Sequence, residues 1–275
     1  MAITESTLLA GARPQYQINK ATVTNEGVGT WHSLWKVAGR PAAGSNPPAF
    51  GAGSGYIPTN ATTGAIGQVN AAGGNELRAI ALEANSTIAG KLIIYDRLWA
   101  CSGFGTVITT AQNVTTPGTL TSGRLQAAGD YSDVEAWLEV YTAPGASTAT
   151  WTVTALDGAA ASRAYTYTHP ANAETVGQMM PLVPPSAAAA GIQQITSFQA
   201  SATSGTAGDI GITLMRRIAV LNMPGPIASM GGFKGALDLA LARVSDDACL
   251  AAMVHCAGAT TGIITADFGL SEVTP

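Results

Sequence analysis

The chain has little charge of either sign. Asp, Glu, Lys and Arg make up 11% of its 275 residues, about half of the share that an average soluble domain carries. Thirteen basic against 17 acidic side chains leave a net charge of −4, which is the wrong sign for a protein that neutralises nucleic-acid phosphates. We therefore expect no direct contact with DNA or RNA.

Cysteine and histidine are also scarce. The three cysteines, Cys101, Cys249 and Cys256, are too few for a disulfide framework, and none of them forms a Cys-x-x-Cys pair. We expect three buried, free thiols. The three histidines lie far apart in the sequence, so the chain shows no spacing typical of metal ligands, and we expect neither a metal site nor a cofactor.

Long apolar runs are missing as well. Residues 1–10 have neither the positive segment nor the apolar stretch of a signal peptide, so we expect no secretion by that route. The longest apolar stretches, residues 187–192 and 237–244, fall well short of the roughly 18 apolar residues that a membrane span requires. The sequence therefore predicts no transmembrane helix and no membrane partner.

No signature of a known catalytic site is present. The chain has no Gly-x-Ser-x-Gly nucleophile elbow and no phosphate-binding loop of the Walker type. Glu135 and Glu139 share one face of a predicted strand, and a carboxylate pair could in principle hydrolyse a glycosidic bond. Polar residues that alternate with apolar ones on a strand are more typical of a solvent-exposed face. We expect no enzyme activity, with glycan hydrolysis by these two residues as the weaker alternative.

Glycine is abundant, with 32 residues, and it is concentrated together with Pro, Asn, Ala and Thr between residues 21 and 74. This composition predicts a long irregular N-terminal arm over residues 1–75, followed by a folded domain over residues 76–275. The large apolar side chains of the arm are Trp31, Trp35, Phe50 and Tyr56. We expect them to anchor the arm on a larger body, either the rest of the chain or neighbouring subunits.

Short strands dominate the sequence after residue 75. Residues 134–141 alternate between apolar side chains and the set Glu135, Trp137, Glu139 and Tyr141, which predicts a half-buried antiparallel strand. Comparable patterns predict strands over residues 91–99, 148–155, 162–168, 195–201, 210–218, 249–256 and 263–268. Residues 76–84 and 233–244 fit a helix and a strand equally well.

Turn signals between these strands predict three hairpins. Residues 134–141 would pair with 148–155, residues 195–201 with 210–218, and residues 249–256 with 263–268. Strands separated by Gly-, Pro- and Ser-rich turns at fairly regular spacing predict an all-β fold, an antiparallel β-sandwich of jelly-roll-like type.

Two pairs of residues are candidates for contacts with a partner. Trp137 and Tyr141 are aromatic residues on a predicted polar face, where they could stack on sugar rings, pack against a neighbouring subunit or fill the second side of a sandwich. Arg216 and Arg217 are adjacent on a predicted strand and must point to opposite sides. One of them is expected to face an inner or subunit-contact surface, either at an interface or in an intramolecular ion pair.

Several segments carry a resemblance to a known group of proteins. They are Tyr95-Asp-Arg-Leu98, the strand over residues 134–142 with the Thr-rich hairpins after it, residues 204–217, and Asp246-Asp-Ala-Cys-Leu250. Over residues 89–268 the chain resembles structural proteins encoded in the virion modules of tailed double-stranded DNA bacteriophages.

The resemblance implies a virion component made in the cytoplasm of the host bacterium, and capsid decoration (cement) is the assignment that we prefer. It implies oligomeric contacts with the major capsid protein, with other virion proteins and with further copies of the chain. The family offers no active-site residues. The candidate interface residues are Trp31, Trp35, Phe50, Tyr56, Trp137, Tyr141, Arg216 and Arg217.

The alternative function is that of a tail, collar or fibre component that connects virion parts or binds a host-surface glycan. The candidate stacking platforms for a sugar ring are Trp137, Tyr141, Tyr165 and Tyr167.

Overall fold

A computed structural model describes most of the chain and is built almost entirely of strands. The described residues are 3–21, 27–52, 55–87, 89–114, 120, 122–172, 174–186, 191–224, 232–258 and 262–274. Among them, the α-helix α1 (Glu5–Ala10) begins at a capping box formed by Thr4 and Thr7. No helix within the described residues is long and apolar enough to cross a membrane. The predicted all-β class is confirmed.

The strands are numbered in chain order. They are β1 (Tyr16–Ala21), β2 (Trp31–Ser33), β3 (Gly39–Arg40), β4 (Glu76–Ser86), β5 (Ala89–Gly105), β6 (Gln112–Asn113), β7 (Val134–Thr142), β8 (Ala149–Asp157), β9 (Ser162–His169), β10 (Gln178–Pro181), β11 (Ile192–Ala200), β12 (Asp209–Pro224), β13 (Gly232–Gly235), β14 (Arg243–Val244), β15 (Leu250–Cys256) and β16 (Ile263–Val273). Short 3-10 turns lie at Phe50–Ala52 and Ser122–Arg124.

The chain forms two compact units. Unit 1 contains Met1–Ser45, Thr59–Asp96 and Arg217–Pro275, and unit 2 contains Asn46–Pro58 and Arg97–Arg216. The division of the chain into an arm over 1–75 and a domain over 76–275 stays a prediction. In the structure, parts of the N-terminal segment belong to each of the two units.

Unit 1 contains an antiparallel sheet in the order β13-β4-β16-β1-β3, with β14 also paired to β4. The same unit contains β15, which pairs with β2 on one side and with the first part of β5 on the other. One core joins these strands, because Ile18, Leu82 and Phe268 of the first sheet and Leu92 and Val254 of the second set belong to a single buried cluster. This arrangement is an antiparallel sandwich.

Unit 2 is built in the same way. A sheet in the order β6-β11-β8-β9 supplies Trp151 and Phe198 to a second buried cluster. Strand β7, paired with β10 and with the first part of β12, supplies Leu138 to the same cluster, and β12 supplies Ile212. The predicted antiparallel β-sandwich is therefore confirmed.

The N-terminal glycines make room for a tryptophan. Trp35 is buried, and its Nε1 donates a hydrogen bond to the carbonyl oxygen of Ser45 over 2.9 Å. A Cβ atom added at Gly44 would lie 2.1 Å from Cε2 of the Trp35 ring. The next stretch is held as well, since the amide of Ile66 donates to the carbonyl oxygen of Leu250 over 2.8 Å. The rest of the chain thus anchors this part of the irregular segment.

Each predicted strand is present, but the three predicted hairpins are wrong. Strand β7 pairs with β10 and β12, whereas β8 pairs with β9 and β11. Likewise β11 and β12 lie in different sheets, and so do β15 and β16. Alternation in the sequence indicates which side chains are buried, but in a sandwich a turn can carry the chain from one sheet to the other.

Neither ambiguous segment forms an α-helix. Residues 76–84 lie in β4, and residues 233–244 form part of β13, a turn and β14. Alanine and leucine satisfied both periodicities in the sequence. Pairing with β4 decided the outcome for the second segment, because β13 and β14 each form part of the same sheet edge along that strand.

Candidate interaction surface

Strand β7 is buried on both of its faces. Trp137 is 1% exposed, Tyr141 7% and Glu139 0%, so the prediction of a half-buried strand with a solvent-exposed face is wrong. The burial of Trp137 and Tyr141 agrees with the alternative that they fill a second side of the strand. Of the other two residues predicted to stack on sugars, Tyr165 is fully buried, and Tyr167 is half-buried and donates a hydrogen bond to Oε1 of Glu174 over 3.0 Å. None of the four aromatic rings is presented to solvent as an open stacking platform.

A buried polar cluster explains the position of Glu139. Its Oε2 atom accepts hydrogen bonds from Nη2 of Arg97 over 2.8 Å, from the hydroxyl of Tyr141 over 2.6 Å and from Oγ1 of Thr213 over 3.1 Å. Burial is the main cause that raises the pKa of Tyr141 well above its ordinary value. The role of Arg97 as the partner of Glu139 was not predicted. The signal in the sequence was the charged pair Asp96-Arg97 inside a long apolar strand.

The second carboxylate of the proposed hydrolytic pair is also engaged. Oε2 of Glu135 accepts a hydrogen bond from Nε1 of Trp137 over 3.0 Å, while Glu139 is paired with Arg97 in the interior. The two glutamates therefore have different environments, one half-buried and one fully buried. Each carboxylate thus has a partner within the chain.

Arg216 and Arg217 point to opposite sides of β12, as predicted. Arg216 is 2% exposed; its Nη1 donates to Oε1 of Gln126 over 3.2 Å, and its Nε lies 3.8 Å from Oδ2 of Asp133. Burial raises the pKa of Asp133, and the charge of Arg216 partly offsets this rise. Arg217 is exposed. The ion-pair alternative thus describes Arg216, and a role of Arg217 at an interface stays a prediction.

The aromatic residues of the N-terminal segment are used within the chain. The Trp31 ring lies 4.6 Å from that of His255, and Phe50 stacks on Phe104 with ring centroids 5.2 Å apart. Tyr56 is half-buried, and its backbone pairs with that of Ala100. Since Trp31, Phe50 and Tyr56 keep some exposure, their part in an interface stays a prediction, while Trp35 lies in the interior.

The cysteines and two of the histidines lie inside the protein. All three cysteines are buried, and none of them is in a disulfide. His169 stacks on Trp151 with ring centroids 4.6 Å apart, and its Nδ1 lies 2.5 Å from Oε2 of Glu174. Burial lowers the pKa of His32 to about 4. Within the described residues, no group of three His, Cys, Asp or Glu side chains is placed to hold a metal ion.

The outer face of the four-stranded sheet in unit 2 is lined by uncharged side chains, most of which are threonine or serine. Strand β8 alternates between buried residues, such as Trp151, and half-buried residues, such as Thr152, and β9 and β11 continue both faces in register. We call the outer set the threonine face: Thr150, Thr152, Thr154, Leu156, Ser162, Ala164, Thr166, Thr168, Gln194, Ser197 and Gln199.

The threonine face carries no charged side chain at any of these positions. Hydroxyl groups donate and accept hydrogen bonds, and no ion has to be desolvated when such a face is covered. Depletion of charge is also the compositional mark of the buried centre of protein interfaces. Chemically, this surface is suited to adhesion to another protein surface.

The sequence already contained the pattern of this face. Residues 148–155 alternate between threonine and apolar residues, and residues 162–168 continue with Ser, Ala and Thr at every second position. The sequence did not show that the two runs form one continuous face. Residues 148–155 were predicted to pair with residues 134–141, whereas in the structure β8 pairs with β9.

Comparisons with known proteins give little. No protein-family model matches the chain, and no curated protein is significantly similar to it in sequence. Among solved structures, the VP2 subviral particle of infectious bursal disease virus is 10% identical, with a TM-score of 0.22 over 99% of this chain and 83% of that one. T=1 particles derived from the same virus give 10% identity and a TM-score of 0.21 over 96% and 79%. Likeness at these TM-scores carries no argument about function.

Proposed function

We propose that the chain is a non-enzymatic structural protein of a virion, and within that class a capsid decoration (cement) protein of a tailed bacteriophage. In this role it binds the major capsid protein and further copies of itself, and it stabilises the head. The observation that carries the proposal is the threonine face, an uncharged sheet surface exposed on a sandwich. The resemblance over residues 89–268 supports the same class.

The proposed role depends on contacts that repeat over the surface of the shell. A protein bound at many equivalent positions on a shell forms the same contact many times, so each contact can be weak, and what matters is that it is uniform. A flat face that lacks charge contributes hydrogen bonds and apolar contact without a large desolvation cost. Because few ions take part, we expect binding to depend little on salt, unlike binding through surface ion pairs.

The first experiment locates the protein. Intact particles of the parent virus are labelled with an antibody against this chain and imaged by electron microscopy. Label spread regularly over the head is the expected result. Label confined to the tail or neck would replace decoration with the tail, collar or fibre alternative, and particles without label would overturn the virion proposal as a whole.

A second experiment tests the threonine face itself. Thr152→Lys places a charge in the middle of the face, and Thr265→Lys is its matched control, because Thr265 occupies an outward position on the central strand β16 of the other unit. We expect Thr152→Lys to lower the amount of protein per purified particle on the order of tenfold. Equal occupancy by both variants, each with unchanged circular dichroism, would contradict a role of this face in binding.

A further inference from the structure

The threonine face ends at a strand with an open edge. Strand β9 is the last strand of the order β6-β11-β8-β9, and among the described residues it pairs with β8 alone. Its eight residues alternate in burial, and Ser162, Ala164, Thr166 and Thr168 are exposed. The edge strand therefore has one side on which backbone groups need a partner.

The turn before β9 determines which backbone groups point outward. The amide of Asp157 donates to the carbonyl oxygen of Ala161 over 2.9 Å, and Ala160 has a φ of 60°, as in a three-residue hairpin loop. Hydrogen-bonded pairs then recur at every second residue, so that Arg163, Tyr165 and the residues in phase with them bond to β8. The N–H and C=O groups of the four exposed residues point away from β8.

Strand β9 lacks most of the features by which proteins protect an edge strand. Strand β9 contains no proline and no lysine, and its pairing with β8 runs from Leu156↔Ser162 to Ala149↔His169 without a bulge. Its one Lys, Arg, Asp or Glu residue is Arg163, which points to the inner face, where its Nε donates to Oδ2 of Asp157 over 2.9 Å. A long, regular edge without proline, lysine or a bulge, whose inward arginine is already paired within its own chain, is a template for another strand.

We propose that β9 pairs with β9 of a second copy of this chain, antiparallel and symmetric about Tyr165. The two four-stranded sheets then form one sheet of eight strands, and the two threonine faces become continuous. This inference specifies the self-association that the proposed function requires.

Residue chemistry favours the second copy as the occupant. In this register Ala164 faces Thr166 of the second copy, and Ser162 faces Thr168, so no like charges meet, and all four outward residues of each copy are used. On the other face, Arg163 comes opposite Tyr167 of the second copy, whose hydroxyl is bonded to Glu174. A guanidinium therefore meets an aromatic ring beside a carboxylate, which is complementary in charge.

The mass of the full chain in solution tests the pairing. We expect light scattering after gel filtration to give a dimer, and Thr166→Pro, which removes an outward N–H, to halve the mass. Thr166→Val keeps the backbone donor and the branched side chain, so it should stay dimeric. Ala164→Lys introduces a charge at the same edge without a proline and should also give a monomer. Circular dichroism checks that each variant keeps its strands.

Cross-linking tests the register. The double variant Ala164→Cys, Thr166→Cys places two thiols opposite each other in the hydrogen-bonded pair, where Cα atoms are about 5.5 Å apart, within reach of a disulfide. It should form a covalent dimer on mild oxidation, while Ala164→Cys alone should not. A monomeric wild-type chain, or a Thr166→Pro variant that remains dimeric, would overturn the inference.

The two proposals fail separately. A chain found on the head of the particle that still dimerises with Thr166→Pro would contradict the β9 pairing and leave the virion role standing. A chain that is absent from particles but dimerises through β9 would contradict the virion role and leave the β9 pairing standing.

Discussion

Nη2 of Arg97 donates a hydrogen bond to Oε2 of Glu139 over 2.8 Å, and both side chains are 0% exposed. The two residues come from β5 and β7, and both belong to unit 2. Removing two charges from water costs several kcal/mol per ion, a cost that mutual attraction and further hydrogen bonds must offset. Such a pair is far more sensitive to the loss of one partner than a pair on the surface.

Glu139→Gln should destabilise the protein strongly. The substitution keeps the shape of the side chain and leaves the Arg97 charge buried without its counter-ion, which costs about 3–5 kcal/mol in comparable cases. Glu135→Gln is the matched control on the same strand, because Glu135 is half-buried, and its change should stay below about 1 kcal/mol. Urea unfolding measures both variants. Equal losses of stability in the two variants would contradict a particular sensitivity of the buried pair.

Gly44→Ala should disturb the packing of Trp35 and destabilise the protein. A Cβ at Gly44 would lie 2.1 Å from Cε2 and 2.3 Å from Nε1 of the indole, so the ring has to move. Overpacking of this kind costs about 1–3 kcal/mol. We expect a lower thermal midpoint and a shifted tryptophan emission. Gly67→Ala is the control, since an added Cβ there meets no atom within 4 Å. An unchanged Gly44→Ala variant would contradict the tight fit.

The stability of the protein should fall as the pH drops through the acid range. Burial lowers the pKa of His32 from 6.5 to about 4, so between these values the unfolded chain binds a proton that the folded protein excludes. Stability therefore rises with pH across this window, by roughly 3 kcal/mol in all from this residue. Urea unfolding at several pH values measures the slope. His32→Gln should flatten it, and an unchanged slope in that variant would contradict the assignment.

The three native thiols should not react while the protein is folded. All three are buried, and burial raises the pKa of Cys101 to about 12, so the reactive thiolate is not formed at neutral pH. We expect Ellman's reagent to detect no thiol in the native protein and all three in denaturant. An added exposed cysteine, Thr265→Cys, is the positive control. Rapid reaction of a native cysteine would contradict its burial.

Strands β7 and β8 show what the alternation of apolar and polar residues in a sequence predicts and what it does not. On β8 the pattern predicted the faces correctly, because one side of the strand is packed on a core and the other is not: Trp151 is buried and Thr152 is half-buried. On β7 the same kind of pattern failed, since both sides are covered, and the polar residue Glu139 is satisfied by a partner from a distant strand. Periodicity reports the chemistry of each side chain and does not report what lies opposite.

The sequence by itself determined the class of the fold, the positions of most of the main strands after residue 86 and the lack of charge on the outer face of β8 and β9. These properties depend on neighbours in the chain, because side chains two residues apart share one face of a strand. Only the tertiary structure decided which strands pair, where the N-terminal segment is anchored, that Trp137 is buried, and that Tyr141 is bonded to the buried pair of Arg97 and Glu139. Those outcomes depend on contacts between residues far apart in the sequence, and a local pattern does not encode which distant segment provides the partner.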